Sequence, residues 1–314
     1  MVNTPDRSTR RIKVKAFAKI NLSLDIVGKR SDGYHEVKMI MQSITLHDSL
    51  TFTPAPELSL RTSESYLPVN DHNLIIKAAK LLKQHADIKS GADIYLQKNI
   101  PVGAGLGGGS ADAAATLMAL NQLWGLHLDT AVLGKLAVTI GADVPFCLTG
   151  GTVLAEGIGE KLTSLPAPPK VRLLLAKPPF SVKTKEVYKK YDTLSITGHP
   201  PIMKVVDSIK SGDFWGITNY WGNVLEEVTL QLHPTLKEHM FEFIRSGLPV
   251  RMTGSGPTIF ALIPEDYTGL DKLKKKLTKD DWWIYESDFH REGNQFVVEK
   301  DDVRGEKTIT PHKT

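Results

Sequence analysis

Between Pro101 and Ala114 the chain reads PVGAGLGGGSADAA, with five glycines in the seven positions from Gly103 to Gly109. Glycine gives up more conformational freedom on folding than any other residue. Such a cluster therefore belongs where backbone turns sharply or something approaches closely. A strand, ADIYLQKNI (Ala92 to Ile100), leads in, and an Ala- and Leu-rich helix over Ser110 to Trp124 leads out. That order turns several backbone N–H groups and the positive end of a helix dipole toward whatever enters the loop, which favours an anion. Ser110 stands at the junction, where a hydroxyl caps the helix or touches a phosphate or its magnesium. A close-packed turn with Ser110 as a plain cap is the bland alternative. Five glycines exceed what capping requires.

Two familiar glycine motifs fit poorly. GAGLGG (Gly103 to Gly108) matches G-x-G-x-x-G formally, but the strand before it is half polar and is not the first of a sheet. The acidic ribose partner expected about 20 residues on would be Asp129, which sits in a helix-start context. In the Walker pattern, Gly109 occupies the position that requires lysine.

Elsewhere the apolar residues Ile12, Val14, Ala16, Ala18, Ile20, Leu22, Leu24 and Ile26 alternate with mainly polar ones. This predicts a long strand with one buried face and places Lys19, Asn21 and Ser23 together on the other. SITLHDSLTFTP reads as a further strand, and residues 71–85 as an amphipathic helix with an acidic or Asn cap. Helices are expected over 130–140, 183–191, 203–209, 214–228 and 233–246. Strands are expected near 151–156, in VRLLLAKP, on both sides of TGSGP, and in DDWWIYESDF. The proline-rich SLPAPPK (Ser164 to Lys170) marks a boundary between domains over 1–165 and 166–314, with a polar, partly disordered tail from about 290. Strands and helices alternate without a regular βαβ rhythm, so an α+β, two-domain fold is expected.

Composition narrows the function classes. The charge of +4, from 39 basic against 35 acidic residues, suits an anionic small substrate, and no aromatic-interleaved basic stretch suggests nucleic acid. There is no apolar run of membrane-spanning length and no signal-like h-region after the basic N-terminus, so a cytoplasmic address is expected. The single cysteine, Cys147, excludes an intramolecular disulfide and a cysteine-based zinc site. Monomer and homodimer stay equally open.

Three stretches together resemble the motifs of the GHMP small-molecule kinases, in order. They are KAFAKINLSLDIVGKRSDGYHEV (Lys15 to Val37), the glycine loop, and RMTGSGPTIFAL (Arg251 to Leu262). The first, with IGADVPF (Ile140 to Phe146), resembles the branch acting on a cytidine-diphosphate sugar alcohol in non-mevalonate isoprenoid synthesis. The resemblance implies a ribosomal S5 domain 2-like N-terminal domain and a ferredoxin-like C-terminal domain. It also implies transfer of the ATP γ-phosphate to a hydroxyl of that alcohol. Magnesium would arrive with ATP, with Ser110 as candidate side-chain ligand and no dedicated metal cage.

The resemblance also assigns residues. Asp143 would accept the hydroxyl proton and Lys19 would stand beside it, although a turn aspartate and an exposed strand lysine like Lys13 or Lys15 are the plain readings. Pro101, Gly103, Gly105, Gly107, Gly108, Gly109 and Ser110 would hold ATP, with Asn73, Leu74 and Lys98 near the adenine. Helix capping by Asn73 and core packing of Leu74 remain live. Asn21, Tyr34, His35 and Tyr188 would bind the acceptor, the aromatic rings stacking on cytosine and the imidazole reading its edge. Gly254, Ser255 and Gly256 would approach phosphates from the other domain, although a turn needing positive φ explains those glycines too. Another GHMP kinase with a different alcohol, and a catalytically silent relative, are the competing readings.

Overall fold

The computed structural model describes residues 10–278, 281–300 and 309–311. The chain opens with two long antiparallel strands, β1 (Arg10–Lys29) and β2 (His35–Ala55), joined at the SDGY turn. Then come β3 (Leu58–Thr62), α1 (Leu74–His85) and β4 (Gly91–Gln97), followed by α2 (Gly108–Leu123), α3 (Thr130–Ile140) and α4 (Val144–Thr149). The hairpin β5 (Thr152–Gly157) and β6 (Lys161–Leu165) completes this half. β2 is the hub of the sheet. One edge pairs with β1, while the other pairs with β5 over Val37 to Gln42 and with β4 over Ser49 to Ala55.

The proline-rich segment carries the chain into the second half. There lie β7 (Arg172–Lys177), α5 (Thr184–Tyr191), α6 (Ile202–Ser211), α7 (Phe214–Tyr220), α8 (Val224–Leu232) and α9 (Pro234–Arg245). Next are β8 (Val250–Met252), β9 (Ile259–Ile263), α10 (Leu270–Thr278) and β10 (Trp283–Asp288). Its sheet is antiparallel with the order β10-β7-β9-β8. With one helical segment between β7 and β8 and another between β9 and β10, that order is the ferredoxin-like split. β7 reads LLLA because both its faces are covered: Leu173 and Leu175 join one core, Leu174 and Ala176 another.

Three apolar cores result. The first lies between the large sheet and α1 to α4, the second between the two sheets with α6 and α7, and the third beneath the small sheet with α9 and α10. α2 is buried almost all round. Its small residues Ala111, Ala113, Ala114 and Ala115 let it lie close to the sheet, while Leu117 and Leu120 fill the core.

Four expectations change. The tail does not simply trail off: β11 (Gln295–Lys300) returns to pair with β1, and β12 (Ile309–Pro311) pairs with β11. The other positions beyond 300 lie outside the described residues. A single helix over 214–228 is two, α7 and α8, because Gly222 and Asn223 serve the neighbouring chain. Leu24 N–H donates to Gly222 O, and Asn223 caps α8 while its amide donates to Met252 O and Gly254 O. The second strand begins at His35 rather than at SITLH.

The fourth concerns β1, where alternation predicts one buried face. Lys13 and Lys15 are exposed, but Lys19, Asn21, Ser23 and Asp25 are buried along with their even-numbered neighbours. The β1–β2 register is irregular between Phe17 and Lys19 and again between Asn21 and Ser23. Across those points the even side chains change cores. Ile12, Val14 and Ala16 lie in the first, Ala18, Ile20 and Leu22 in the second, Leu24 and Ile26 in the first again. Such irregularities re-aim side chains, and here they turn Lys19 and Asn21 into the cleft.

Candidate active site

A cleft of about 1120 Å³ runs between the glycine loop, β1, α4 and α5. Every site residue expected from sequence lines it except Gly256, which lies behind the wall, where a Cβ would stand 2.4 Å from Met252 Sδ.

The loop turns through left-handed backbone at Gly103, Gly105 and Gly107 (φ 63°, 75° and 70°). Gly107 is the N-cap of α2, so Ser110 sits in the first helical turn and is not the cap. The first N–H groups of α2 have no partner inside the helix and open toward the cleft. Part of the glycine requirement comes from the protein itself. A Cβ on Gly105 would stand 2.6 Å from Thr253 O, one on Gly107 2.9 Å from Lys19 Cγ, and one on Gly108 2.9 Å from Lys98 Nζ. The close-packing alternative thus describes these three positions.

Beneath the loop, Lys98 is ion-paired with Asp48 and, at 2.9 Å, with Asp112. Asp48 Oδ1 also accepts from Asn99 N (2.6 Å) and Ile100 N (2.8 Å), which ties the entry of the loop to β2. All three side chains are almost wholly buried. Burial, with the nearby Asp48 charge, pushes the Asp112 carboxyl up to about 8 against the pull of Lys98. Asn73 does cap α1, accepting from Ile75 N (2.9 Å) and donating to Pro68 O (2.8 Å).

A continuous track of contacts runs along the cleft from there. A Cβ on Gly109 would lie 3.5 Å from Leu74 Cδ1, and Gly107 abuts Lys19. Lys19 Nζ lies 3.5 Å from Asp143 Oδ2 and donates to Asn21 Oδ1 at 2.8 Å. Asp143 is the N-cap residue of α4 but makes no side-chain capping bond, leaving its carboxylate to the cleft. The third motif closes on this pair: Asn21 N–H donates to Thr253 Oγ1 at 3.0 Å, and Gly254 faces Asn21 and Lys19. Ser255 Oγ is 2.8 Å from Thr184 Oγ1 at the start of α5. The Tyr188 phenol is pushed up by burial and by the charge of Asp143. Its ring packs against His35, centroids 4.9 Å apart, while Tyr34 stands 61% exposed at the mouth.

This arrangement offers an anion cradle, a lysine–carboxylate pair and an aromatic–imidazole pocket in sequence. Residues 73–151 match the GHMP kinases N terminal domain and residues 215–279 match the GHMP kinases C terminal domain. A 4-diphosphocytidyl-2-C-methyl-D-erythritol kinase of Lachnospira eligens is 45% identical over 258 residues, covering 81% of this chain and 90% of the relative. The kinase of that name from Bacillus cereus is 48% identical over 259 residues, covering 82% and 89%. The chain belongs to the 4-diphosphocytidyl-2-C-methyl-D-erythritol kinase family of GHMP kinases. A crystal structure of a 4-(cytidine 5'-diphospho)-2C-methyl-D-erythritol kinase matches with a TM-score of 0.73 at 33% identity, covering 88% of this chain and 99% of that one. Homoserine kinase from Cytophaga hutchinsonii shares the fold, with a TM-score of 0.73 at 19% identity over 94% of this chain.

In this member of the GHMP family several residues in or beneath the cleft escape sequence reasoning. Asp48 lies in a plain strand pattern. Asp112, inside GGGSADAA, and Asp192, closing YKKYD, were visible as charges in motifs but carried no assigned role. Among the described residues, no three His, Cys, Asp or Glu side chains gather as a metal cage, and no helix is long and apolar enough to cross a membrane.

Proposed function

We propose that the chain transfers the γ-phosphoryl group of ATP to the 2-hydroxyl of 4-diphosphocytidyl-2-C-methyl-D-erythritol, a step toward isoprenoid precursors. The observation that carries this reading is the position of Lys19 and Asp143 between the glycine loop and the His35–Tyr188 pocket.

Kinases of this family take their phosphoryl group from ATP. The glycine loop and the first turn of α2 suit its phosphates, because Gly107, Gly108, Gly109 and Ser110 line the cleft at the start of a helix whose first N–H groups have no partner inside it. Leu74 and Asn73 border the adenine end, and Lys98 acts from below the loop rather than from its surface. Asp143 orients the attacking hydroxyl and takes its proton as the new P–O bond forms and ADP departs. Lys19, 4% exposed, stands 3.5 Å from the Asp143 carboxylate and offsets charge on the transferring group. Asn21 holds the lysine in place. Tyr34 and Tyr188 flank the base beside His35, and Gly254 and Ser255 approach the phosphates from the second half. Magnesium, carried in by ATP, would neutralise phosphate charge, with the Ser110 hydroxyl at the cradle as the side chain nearest that role.

The test is a coupled assay of ADP release with 4-diphosphocytidyl-2-C-methyl-D-erythritol against galactose, homoserine and mevalonate. Turnover confined to the cytidylated alcohol is expected, and turnover of another alcohol in its place would overturn the reading. Asp143→Asn is expected to lower kcat by about 10²- to 10⁴-fold with ATP and acceptor still bound. Near-parental kcat would remove Asp143 from its role.

A further inference from the structure

Asp192, the residue that ends α5, joins three elements at the acceptor end of the cleft. Its Oδ1 lies 2.7 Å from His35 Nε2 and its Oδ2 accepts from Lys29 Nζ at 2.6 Å. His35 and Lys29 stand opposite each other at the ends of β2 and β1, so the carboxylate fastens the hairpin to α5. The hydrogen bonds from Lys29 and His35 hold Asp192 below the ordinary carboxylate range. The imidazole is 8% exposed, packed against Tyr188 and, edge-on, against Tyr191 at 5.9 Å.

An ionised carboxylate can only accept, so Nε2 must carry the proton. Nδ1 is then the one ring atom left for a ligand. A neutral ring protonated at Nε2 presents a lone pair at Nδ1. That lone pair complements an exocyclic amine, the donor that cytosine bears, and opposes the carbonyl that uracil bears at the same position.

We propose that Asp192 is a specificity-determining positioning residue: by fixing the proton of His35 on Nε2, it commits the pocket to cytidine over uridine nucleotides. The inference rests on the base-recognition reading above and adds the residue that sets its sign. Asparagine at 192 removes the constraint, because its amide can donate to Nε2 as well as accept from it. Either tautomer is then allowed.

The experiment measures CDP and UDP binding by calorimetry to the parent, Asp192→Asn and Asp192→Glu, alongside the KM for ATP. The parent is expected to favour CDP by roughly tenfold or more, the scale of one unmatched buried hydrogen bond. Asp192→Asn should lose most of that ratio at unchanged ATP KM, and Asp192→Glu should recover part of it. A parental CDP/UDP ratio in Asp192→Asn would overturn the inference while leaving base recognition intact. A uniform loss of CDP, UDP and ATP binding would reduce Asp192 to a structural clasp and overturn it too. A parent indifferent to the base would sink both the inference and the reading beneath it.

Discussion

The two ends of the cleft both rely on a lysine bound to carboxylate, but in opposite surroundings. Under the glycine loop, Lys98 is 6% exposed between Asp48 and Asp112, and the loop above packs backbone to backbone against Thr253. At the acceptor end, Lys29 is 54% exposed where it meets Asp192, and Tyr34 projects into solvent. Breaking a buried pair strands an uncompensated charge and costs about 3–5 kcal/mol, whereas an exposed pair contributes about 0–1 kcal/mol. The donor end is therefore part of the core. At the other end the His35–Tyr188 pair is buried but its rim of Lys29, Tyr34 and Asp192 is exposed, so changes at that rim should alter affinity without altering the fold.

The harshest way to break this contrast is Gly105→Ala. The position has φ 75°, and the new methyl would stand 2.6 Å from Thr253 O and 3.0 Å from Gly256 O, all backbone. Left-handed strain alone costs on the order of 1–3 kcal/mol. Stability in a denaturant titration and kcat should fall together, kcat by more than about tenfold. A variant with parental stability would show that the loop is not packed as part of the core.

Tyr34→Ala probes the opposite end. An exposed side chain away from the core changes stability by less than about 0.5 kcal/mol. Loss of one stacking face costs about 1–3 kcal/mol in base binding, or roughly 5- to 150-fold in the acceptor KM. Thermal unfolding and the KM for ATP should stay parental. A parallel loss of stability would erase the contrast.

Much of this was legible in the sequence, and the misses have physical causes. Strand, loop and helix around Gly103 to Ser110 follow from local chemistry, and the ferredoxin-like second half was implied by the motif resemblance. The β1 pattern was readable only as alternation. Lys19 differs from Lys13 and Lys15 because register irregularities turn it inward, and those depend on the partner strand rather than on β1 itself. The return of β11 to β1 joins residues nearly 300 positions apart, which no local window carries. Asp48 became part of the donor end for the same reason. Its partners Lys98, Asn99 and Ile100 lie 50 to 52 positions away in sequence.

The last contrast concerns the protonation of that anchor. Two buried carboxylates share one lysine, and Asp112, whose Oδ1 has no hydrogen-bond partner, has its carboxyl raised from 3.8 to about 8. A carboxyl with a raised folded pKa binds its proton more tightly in the folded state than in the unfolded one. Its contribution to stability is full below about pH 3.8 and disappears as pH rises through about 8. Stability therefore falls as pH rises, by at most about 1.4 kcal/mol per pH unit near pH 6 for one such proton and by about half that at pH 8. Asp112→Asn, which mimics the protonated acid, should lose this slope in denaturant titrations across that window. The acceptor end supplies the control: Asp192, exposed and lowered, titrates well below pH 6, so Asp192→Asn should leave the slope in place. An unchanged slope in Asp112→Asn would mean that Lys98 satisfies both carboxylates as ions and that the donor end carries its net negative charge directly under the phosphate cradle.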